Sequence, residues 1–436
     1  MKRLTILLLA VLCAAAGTAF AGGTGESKTA SAGTELTFWT FQQVHTEFFE
    51  TMVERWNAVH PDRPIVFKPE VYPFQDMHTK LSVALQSGVG APDIADIEIS
   101  KFANFLKGQI QLAPLNDLIE PEIDKFIMSR LENYALNGQY YGLDYHVGAE
   151  VMYYNNEILR RAGVDVNSIV TWKDYIEAGK KVVAATGVPM ATIETTEHWS
   201  YYPLLNMAGS DVLSPDGRVI LDNETNIKVL EMLYDMIWTD KIAIGTPGGF
   251  HHSEQYYGFM NDGGAASIWM PLWYINRFTD FMPDLDGKMV IRPMPVFDGS
   301  VKGIRSPYTS AGMGGTGTAV TMQSKNVQLA KEFLYFAKGT KEGSLATWTE
   351  MGFDPIRWDA WEDPIIKQPN RFTQFYQNDD IFGMMLQVKD GFNSTVVGFN
   401  YPEIIDELKA TVMFSTLSDR SKTPAQALRE AAAKLR

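Results

Sequence analysis

Between Glu35 and Ile99 the sequence switches repeatedly between short apolar runs and long helical stripes, and that alternation restricts the chain to one broad architecture. Leu36, Phe38 and Trp39 read as a first strand. Phe48, Met52 and Trp56 then fall four apart with Phe49 and Val53 beside them, the wide apolar stripe of a helix. Ile65 to Val71 reads as a second strand, and Met77, Leu81, Ala84 and Leu85 mark a second helix that Gly88 ends. A third strand, Ile94 to Ile99, follows Pro92 and Asp93. Strands separated by helices form a mostly parallel sheet, which needs cover on both faces, so this part of the chain is expected to be α/β. Ligands in such sheets sit beyond the carboxyl ends of the strands. Position alone therefore nominates Trp39, Thr40 and Phe41 after the first strand, and Glu98, Ile99 and Ser100 after the third. The competing reading makes the aromatics core and Glu98 a surface charge.

A chain of 436 residues is too long for one ordinary core, so two domains are expected. Its 45% hydrophobic and 21% charged residues are globular values and exclude a disordered or fibrous chain. The amino terminus departs from this pattern. Lys2 and Arg3 precede an apolar run from Leu4 to Ala16, and Ala19, Phe20 and Ala21 supply the small residues of a cleavage site. Met1 to Ala21 reads as a removable export signal, too short for a membrane span, and no later segment is apolar for long enough. Gly22 to Gly33 is small and polar, a flexible tether. The lone cysteine, Cys13, lies inside the signal, so the mature chain has no disulfide or cysteine metal site; a lipid anchor at Cys13 is the alternative, disfavoured by bulky Leu12. The formal charge of −14, two units more negative once Lys2 and Arg3 are gone, argues against a nucleic-acid partner.

The stretch from Tyr141 to Tyr175 carries the next signal. Tyr141 to Tyr154 favours an extended strand, Ile158, Leu159 and Ala162 then fall at helical spacing before Gly163, and Thr171 stands as the cap of a helix starting at Trp172. A strand ending Tyr-Asn, a short helix ending Ala-Gly and a Thr-Trp-x-x-Tyr helix start resemble extracellular solute-binding proteins of family 1, the maltose-binding-protein-like receptors of sugar ABC transporters. The remainder keeps that family's order. Val188 to Ile193 reads as a strand, and Trp199 to Met207 and Asn226 to Trp238 read as helices. Asn261 to Phe278 resembles the glycine-alanine-methionine segment that lines the second wall of the family's cleft, with Trp269, Met270 and Trp273 at the carboxyl-end position. Gly312, Gly314 and Gly317 have Gly-x-Gly-x-x-Gly spacing but precede a strand-like run, Thr318 to Met322, which excludes a nucleotide loop and resembles the family's second crossover. A helix follows from Ser324 to Gly339, Gly352 to Pro364 resembles a Gly-x-x-Pro-x-Arg segment, and helices Glu403 to Phe414 and Pro424 to Leu435 close the chain.

The resemblance implies a type II periplasmic-binding-protein fold with hinge-connected lobes: residues 34–147 with 312–364, and residues 148–311 with 365–436. It implies an exported, monomeric protein in the periplasm or at the cell surface that hands a sugar or oligosaccharide to ABC permease subunits, with no cofactor. Sugar rings stack C–H faces on aromatics while their hydroxyls need donors and acceptors. Trp39, Phe41, Trp269, Trp273 and Tyr401 are the expected stacking groups, Tyr401 on resemblance; Glu98, Asp144 and His146 are the expected hydroxyl partners, with Thr40, Ser100, Met270 and Gly314 beside them. Asp144 stands where many relatives have proline, and is expected to read the particular sugar. Two other classes compete. A glycosidase would pair Glu98 with Asp144. A polyamine or other cation receptor would use the same aromatics and carboxylates. His251 and His252, with Glu254 nearby, read as a solvated loop in preference to a metal site. No serine elbow, cysteine nucleophile or phosphate loop is found, so the chain is not expected to be an enzyme.

Overall fold

The computed structural model describes residues 33–436 except Asp379 and Ser394, so the export signal and all but the last residue of the tether lie outside the described residues. Two sheets organise the rest. In the first, Thr34–Thr40 lies between Ile65–Val71 and Ile94–Glu98, all parallel, with Phe38 level with Pro69 and Ile94. A strand from far along the chain, Thr316–Val320, completes it antiparallel to Ile94–Glu98. The helix Gln43–Val59 covers one face through Phe48, Phe49, Met52 and Trp56, against Leu36 and Phe38. Phe74–Ser87 covers the other through Met77, Leu81 and Leu85, against Trp39, Ala95 and Ile97. Strand alternation sends neighbouring residues to the two cores, as the period of two requires.

The second sheet has the order Met289–Arg292, Glu150–Asn155, Ser267–Pro271, Ala191–Ile193, Ala243–Gly245. Glu150–Asn155 is buried along its whole length, Val151 and Tyr153 entering one core while Met152 and Tyr154 enter the other. The helix Trp172–Thr186 begins where sequence predicts it: Thr171 Oγ1 accepts from Asp174 N at 3.1 Å and the Asp174 carboxylate accepts from Thr171 N at 2.9 Å. This reciprocal cap satisfies two backbone donors that a helix start otherwise leaves open. Among the described residues no helix is long and apolar enough to cross a membrane.

Several elements differ from the sequence reading. The expected strand from Tyr141 to Tyr154 is regular only over Glu150–Asn155. Ahead of it the chain passes from one sheet to the other, Leu143 bridging to Thr318 and Ala149 to Gly312, so its backbone groups find partners on separate segments. The helix expected from Trp199 starts at Tyr202, after a turn in which Tyr201 N and Tyr202 N both donate to His198 O. The last turn of the helix after Ser324 is widened over Tyr335–Gly339, and the helix beginning at Tyr401 continues through widened turns to Ser418.

The two segments that pass between the sheets near Gly148 and Gly312 are joined to each other and to Asp354. Met313 N donates to Gly148 O at 2.8 Å beside the Ala149–Gly312 bridge. The Asp354 carboxylate accepts from Gly148 N at 3.2 Å and Ala149 N at 3.0 Å, while its carbonyl accepts from Val147 N at 3.0 Å.

Candidate ligand cleft

The carboxyl ends of the first sheet rest on a saturated polar network. Asp96, fully buried, accepts from Thr40 Oγ1 at 2.7 Å, Thr318 Oγ1 at 2.5 Å and Tyr145 OH at 3.1 Å, and lies 2.7 Å from His45 Nδ1. Lys338 Nζ donates to Thr318 Oγ1 at 2.7 Å and sits 3.2 Å from the Tyr145 ring centre. Burial works to raise the pKa of Asp96, but the charge and hydrogen bond of His45 outweigh it and hold the carboxyl below its ordinary value. Burial also brings Lys338 down to about 7. Thr40, expected to face ligand, is thus engaged within this network.

Above the network, Phe41 packs against Phe74 at 5.1 Å and His78 at 5.2 Å. His78 accepts from Glu98 N at Nε2 (3.1 Å) and donates from Nδ1 to Phe74 O (2.7 Å), which fixes its tautomer. Glu98 ends the third strand and caps the turn Ile99–Phe102, its Oε2 accepting from Ser100 N at 2.8 Å and from Ser100 Oγ. Burial pushes its carboxyl up to about 7, against the pull of the Ser100 hydrogen bonds and of Lys409 and Lys101. Trp39 points to the other face: its Nε1 donates to Glu70 at 3.3 Å and Lys80 sits 4.1 Å over its ring.

At the crossovers, Asp144 is 1% exposed and accepts from Arg130 at 2.5 Å, Tyr134 OH at 2.6 Å and Thr316 N at 3.1 Å. Arg130 also donates to Gly314 O at 2.6 Å. Burial alone would raise the pKa of Asp144, and the Arg130 charge drives it far below the usual carboxylate range instead. Gly315 has φ +145°, and a Cβ there would lie 2.3 Å from Arg130 and 2.6 Å from Asp144. Asp144, expected to read a sugar, instead fastens the second crossover, because a buried arginine and a bare backbone need its lone pairs.

The second wall is aromatic. Trp273 follows the strand Ser267–Pro271, donates from Nε1 to Met313 O at 3.3 Å, and meets Trp199 at 5.5 Å and 82° and His252 at 5.5 Å and 25°. A Cβ on Gly314, whose φ is +72°, would stand 2.9 Å from Trp199 and 3.4 Å from Trp273 Nε1, so glycine is what lets the crossover pass under both rings. His146 comes from the first crossover, 5.9 Å from Trp273 and 5.2 Å from Phe353; burial lowers its pKa to about 3, and its Nδ1 has no protein partner. Trp269, Met270 and Tyr401 lie inside the second lobe. Trp269 packs edge-on to Trp172 at 5.6 Å with Nε1 on Ser200 O at 3.0 Å, Met270 enters the opposite core, and Tyr401 packs against Tyr202 at 5.8 Å.

Thus His146, Trp273 and Gly314 meet at the crossovers, and Glu98 and Ser100 stand together at the end of the first sheet; Phe41 packs on Phe74 and His78, and Trp39, Thr40, Asp144, Trp269, Met270 and Tyr401 are engaged elsewhere in the protein. Trp199, His252 and Glu194 stand beside this group and were not among the ligand residues expected from sequence. The carboxyl-end rule, carried to the strand Ala191–Ile193, would have found Glu194 and the turn that bears Trp199. His251 is no solvated loop residue: it is fully buried, its Nε2 3.0 Å from both Thr192 Oγ1 and Thr246 Oγ1, and its N–H donates to Glu194 at 2.9 Å. Burial pushes Glu194 up to about 8. Among the described residues no His, Cys, Asp and Glu cluster could hold a metal ion. At the rim, Lys101 meets Asp406 at 3.2 Å across the lobes, and Lys409 meets Glu197 at 2.9 Å.

Aromatic faces here stand beside carboxyl groups, a pairing suited to holding a solute with both apolar and hydrogen-bonding surfaces. The sequence profile of the bacterial extracellular solute-binding proteins matches residues 43–343. The chain is 47% identical over 439 residues to the arabinooligosaccharide-binding protein of Bacillus subtilis, covering all of both chains. The chain belongs to this family. A second relative of the solute-binding protein, the arabinooligosaccharide-binding protein of Halalkalibacterium halodurans, is 48% identical over 398 residues, 91% of this chain and 88% of its own. Among solved structures, the GacH receptor of Streptomyces glaucescens superposes with a TM-score of 0.74 at 19% identity, over 92% of this chain and 98% of its own, which establishes the type II fold. As a solute-binding protein it is a binding component and not an enzyme, and its family works outside the cytoplasm.

Proposed function

We propose that this protein captures arabino-oligosaccharides for import. It is the substrate-binding component of a carbohydrate ABC importer, closing two lobes over the sugar and presenting it, as a monomer, to the permease. The observation that carries the choice of sugar is the 47% identity, over the full length of both chains, to the arabinooligosaccharide-binding protein of Bacillus subtilis. The lobes are taken as residues 34–147 with 312–364 and residues 148–311 with 365–436, with export directed by Met1 to Ala21. Trp273 and Trp199 supply the stacking wall, and Glu98, Ser100, Glu194 and His146 the polar contacts. A ligand that touches both lobes binds the closed form more tightly than the open one, and that difference drives closure.

The cleft carboxyls favour a neutral ligand over a polyamine. Glu98 and Glu194 have pKa values pushed up to about 7 and about 8 by burial, so near neutral pH Glu98 carries only part of a charge and Glu194 little, which gives a cation less than two full carboxylates would. Calorimetric titration of the mature protein with arabino-oligosaccharides of graded length, with malto- and galacto-oligosaccharides and spermidine as controls, tests the proposal. Saturable one-to-one binding confined to the arabino series is expected, with the native state stabilised by about 2.7 kcal/mol when free ligand is at a hundred times Kd, seen as a rise in melting temperature. Binding of a different sugar series would reassign the ligand, and binding of spermidine alone would replace the sugar reading.

A further inference from the structure

Glu150 is 1% exposed, and neither of its carboxyl oxygens has a hydrogen-bond partner in the protein. It is the first residue of the strand Glu150–Asn155, opposite Pro271, which ends the neighbouring strand. Both positions therefore stand at the end of the second sheet where the crossovers arrive, and Ser310 Oγ, two residues before Gly312, donates to the Glu150 carbonyl at 3.0 Å. Alternation puts its side chain on the face shared with Met152 and Tyr154, the face whose core includes Trp269, Ala311 and Met313. The next place on that face toward the crossovers is Gly148, which has no side chain, and Pro271 opposite has no N–H to give.

The surroundings make this carboxyl unlike the other buried ones. Asp96, Asp144 and Asp354 each accept at least two hydrogen bonds from side chains or backbone N–H groups. The titratable group that acts on Glu150 is Glu194, a second carboxyl at the same end of the sheet, and the two cannot easily ionise together, which adds to the effect of burial. An acid without partners at such a depth is costly to a fold, and it persists where something other than the protein satisfies it.

We propose that Glu150 is a specificity-determining contact of the sugar site, its carboxyl exchanging hydrogen bonds with a pair of adjacent hydroxyl groups on the bound oligosaccharide. The proposal rests on the sugar reading of the cleft. Burial and Glu194 raise the pKa well above the ordinary carboxyl value and so favour the protonated form, which offers one O–H donor and one carbonyl acceptor side by side. Neighbouring hydroxyls of one sugar ring present the matching acceptor and donor.

The test compares the wild type with Glu150→Gln and Glu150→Leu, by calorimetric titration with the arabino-oligosaccharide that the wild type binds most tightly and by melting without ligand. Glutamine keeps a donor beside an acceptor, so its affinity is expected to stay within about threefold of the wild type, whereas leucine is expected to lose at least about tenfold. The ligand-free melting temperature of Glu150→Leu is expected to be unchanged or raised, which a purely structural glutamate would not give. Wild-type affinity in Glu150→Leu overturns this inference and leaves the sugar reading intact. Failure of the wild type to bind any sugar overturns both. Should Glu150→Leu not fold, the carboxyl carbon resonance of Glu150, identified by its absence from Glu150→Gln, decides: a shift on sugar saturation supports the contact, and a stationary resonance overturns it.

Discussion

Asp96 and Glu150 are carboxyls buried to the same depth, one at the cleft end of each sheet, and they are treated in opposite ways. Asp96 is surrounded by Thr40, Thr318, Tyr145 and His45, and its pKa is held below the ordinary value. Glu150 has no protein partner, and its pKa is raised. A carboxylate whose lone pairs are all used belongs to the scaffold. A carboxyl whose lone pairs are unused is available to a ligand. Asp96 thus belongs to a packed polar network beneath Thr40, whereas Glu150 is the carboxyl the proposal assigns to the ligand.

The comparison can be broken most forcefully at the crossover. Removing one side of the Arg130–Asp144 pair strands a buried charge, so Asp144→Ala is expected to lose about 3–5 kcal/mol in urea unfolding. A neutral result would mean that the pair does not hold the second crossover. Asp96→Asn comes next: exchanging a carboxylate for an amide amid three hydroxyl donors should cost about 2 kcal/mol by the same assay, against no loss for Glu150→Gln. Equal losses at the two sites would erase the distinction drawn between them. Removing the cap in Thr171→Ala, remote from both floors, should cost about 1 kcal/mol and leave sugar affinity untouched, a control for stability changes that do not reach the cleft.

The pH dependence sharpens the same contrast with a smaller signal. Glu194, at about 8 in the fold and 4.5 in the unfolded chain, binds more protons when folded between those values. Its contribution is therefore complete below the unfolded pKa and lost as pH rises through about 8; Asp96, with a depressed pKa, loses its contribution only in acid. Melting temperatures should fall from about pH 6 to about pH 9, and less steeply in Glu194→Gln. An identical slope in the variant would show that Glu194 is not the group titrating. Smallest of all, Lys101→Ala at the solvent-facing rim pair should change stability by less than about 1 kcal/mol while loosening closure, read as a modest rise in Kd.

The sequence made the architecture legible because its signals there are local. The stripe of Phe48, Met52 and Trp56, the stop at Gly88 and the Thr171 cap each act within a turn or two. The site was less legible because its members are set by what lies across the fold. Trp269 and Trp273 are four residues apart, a spacing that alternation would keep on one face, yet the strand ends at Pro271 and the helical turn Leu272–Tyr274 carries Trp273 against Met313 while Trp269 stays in the core. Asp144 looked like a cleft residue until Arg130 and the bare turn at Gly315 were found to claim it. Glu150 carried no signal of its own, since a glutamate at a strand start resembles any surface charge; only the absence of donors around it distinguishes it.

The joined crossovers also decide what kind of motion the molecule can make. Gly148 and Ala149 are tied both to Gly312 and Met313 and to Asp354, so these segments are joined at one place. On the proposed reading of two closing lobes, a join of this kind would favour turning over sliding, and opening would then follow a single coordinate. A single distance should then report the state of the whole protein. Cys13 is the lone cysteine of the sequence, so in a protein prepared without residues 1–21 paired spin labels at exposed Val83 and Val170 would meet no competing thiol. Their separations should form two populations whose ratio follows sugar concentration, a molecular dial with one pointer.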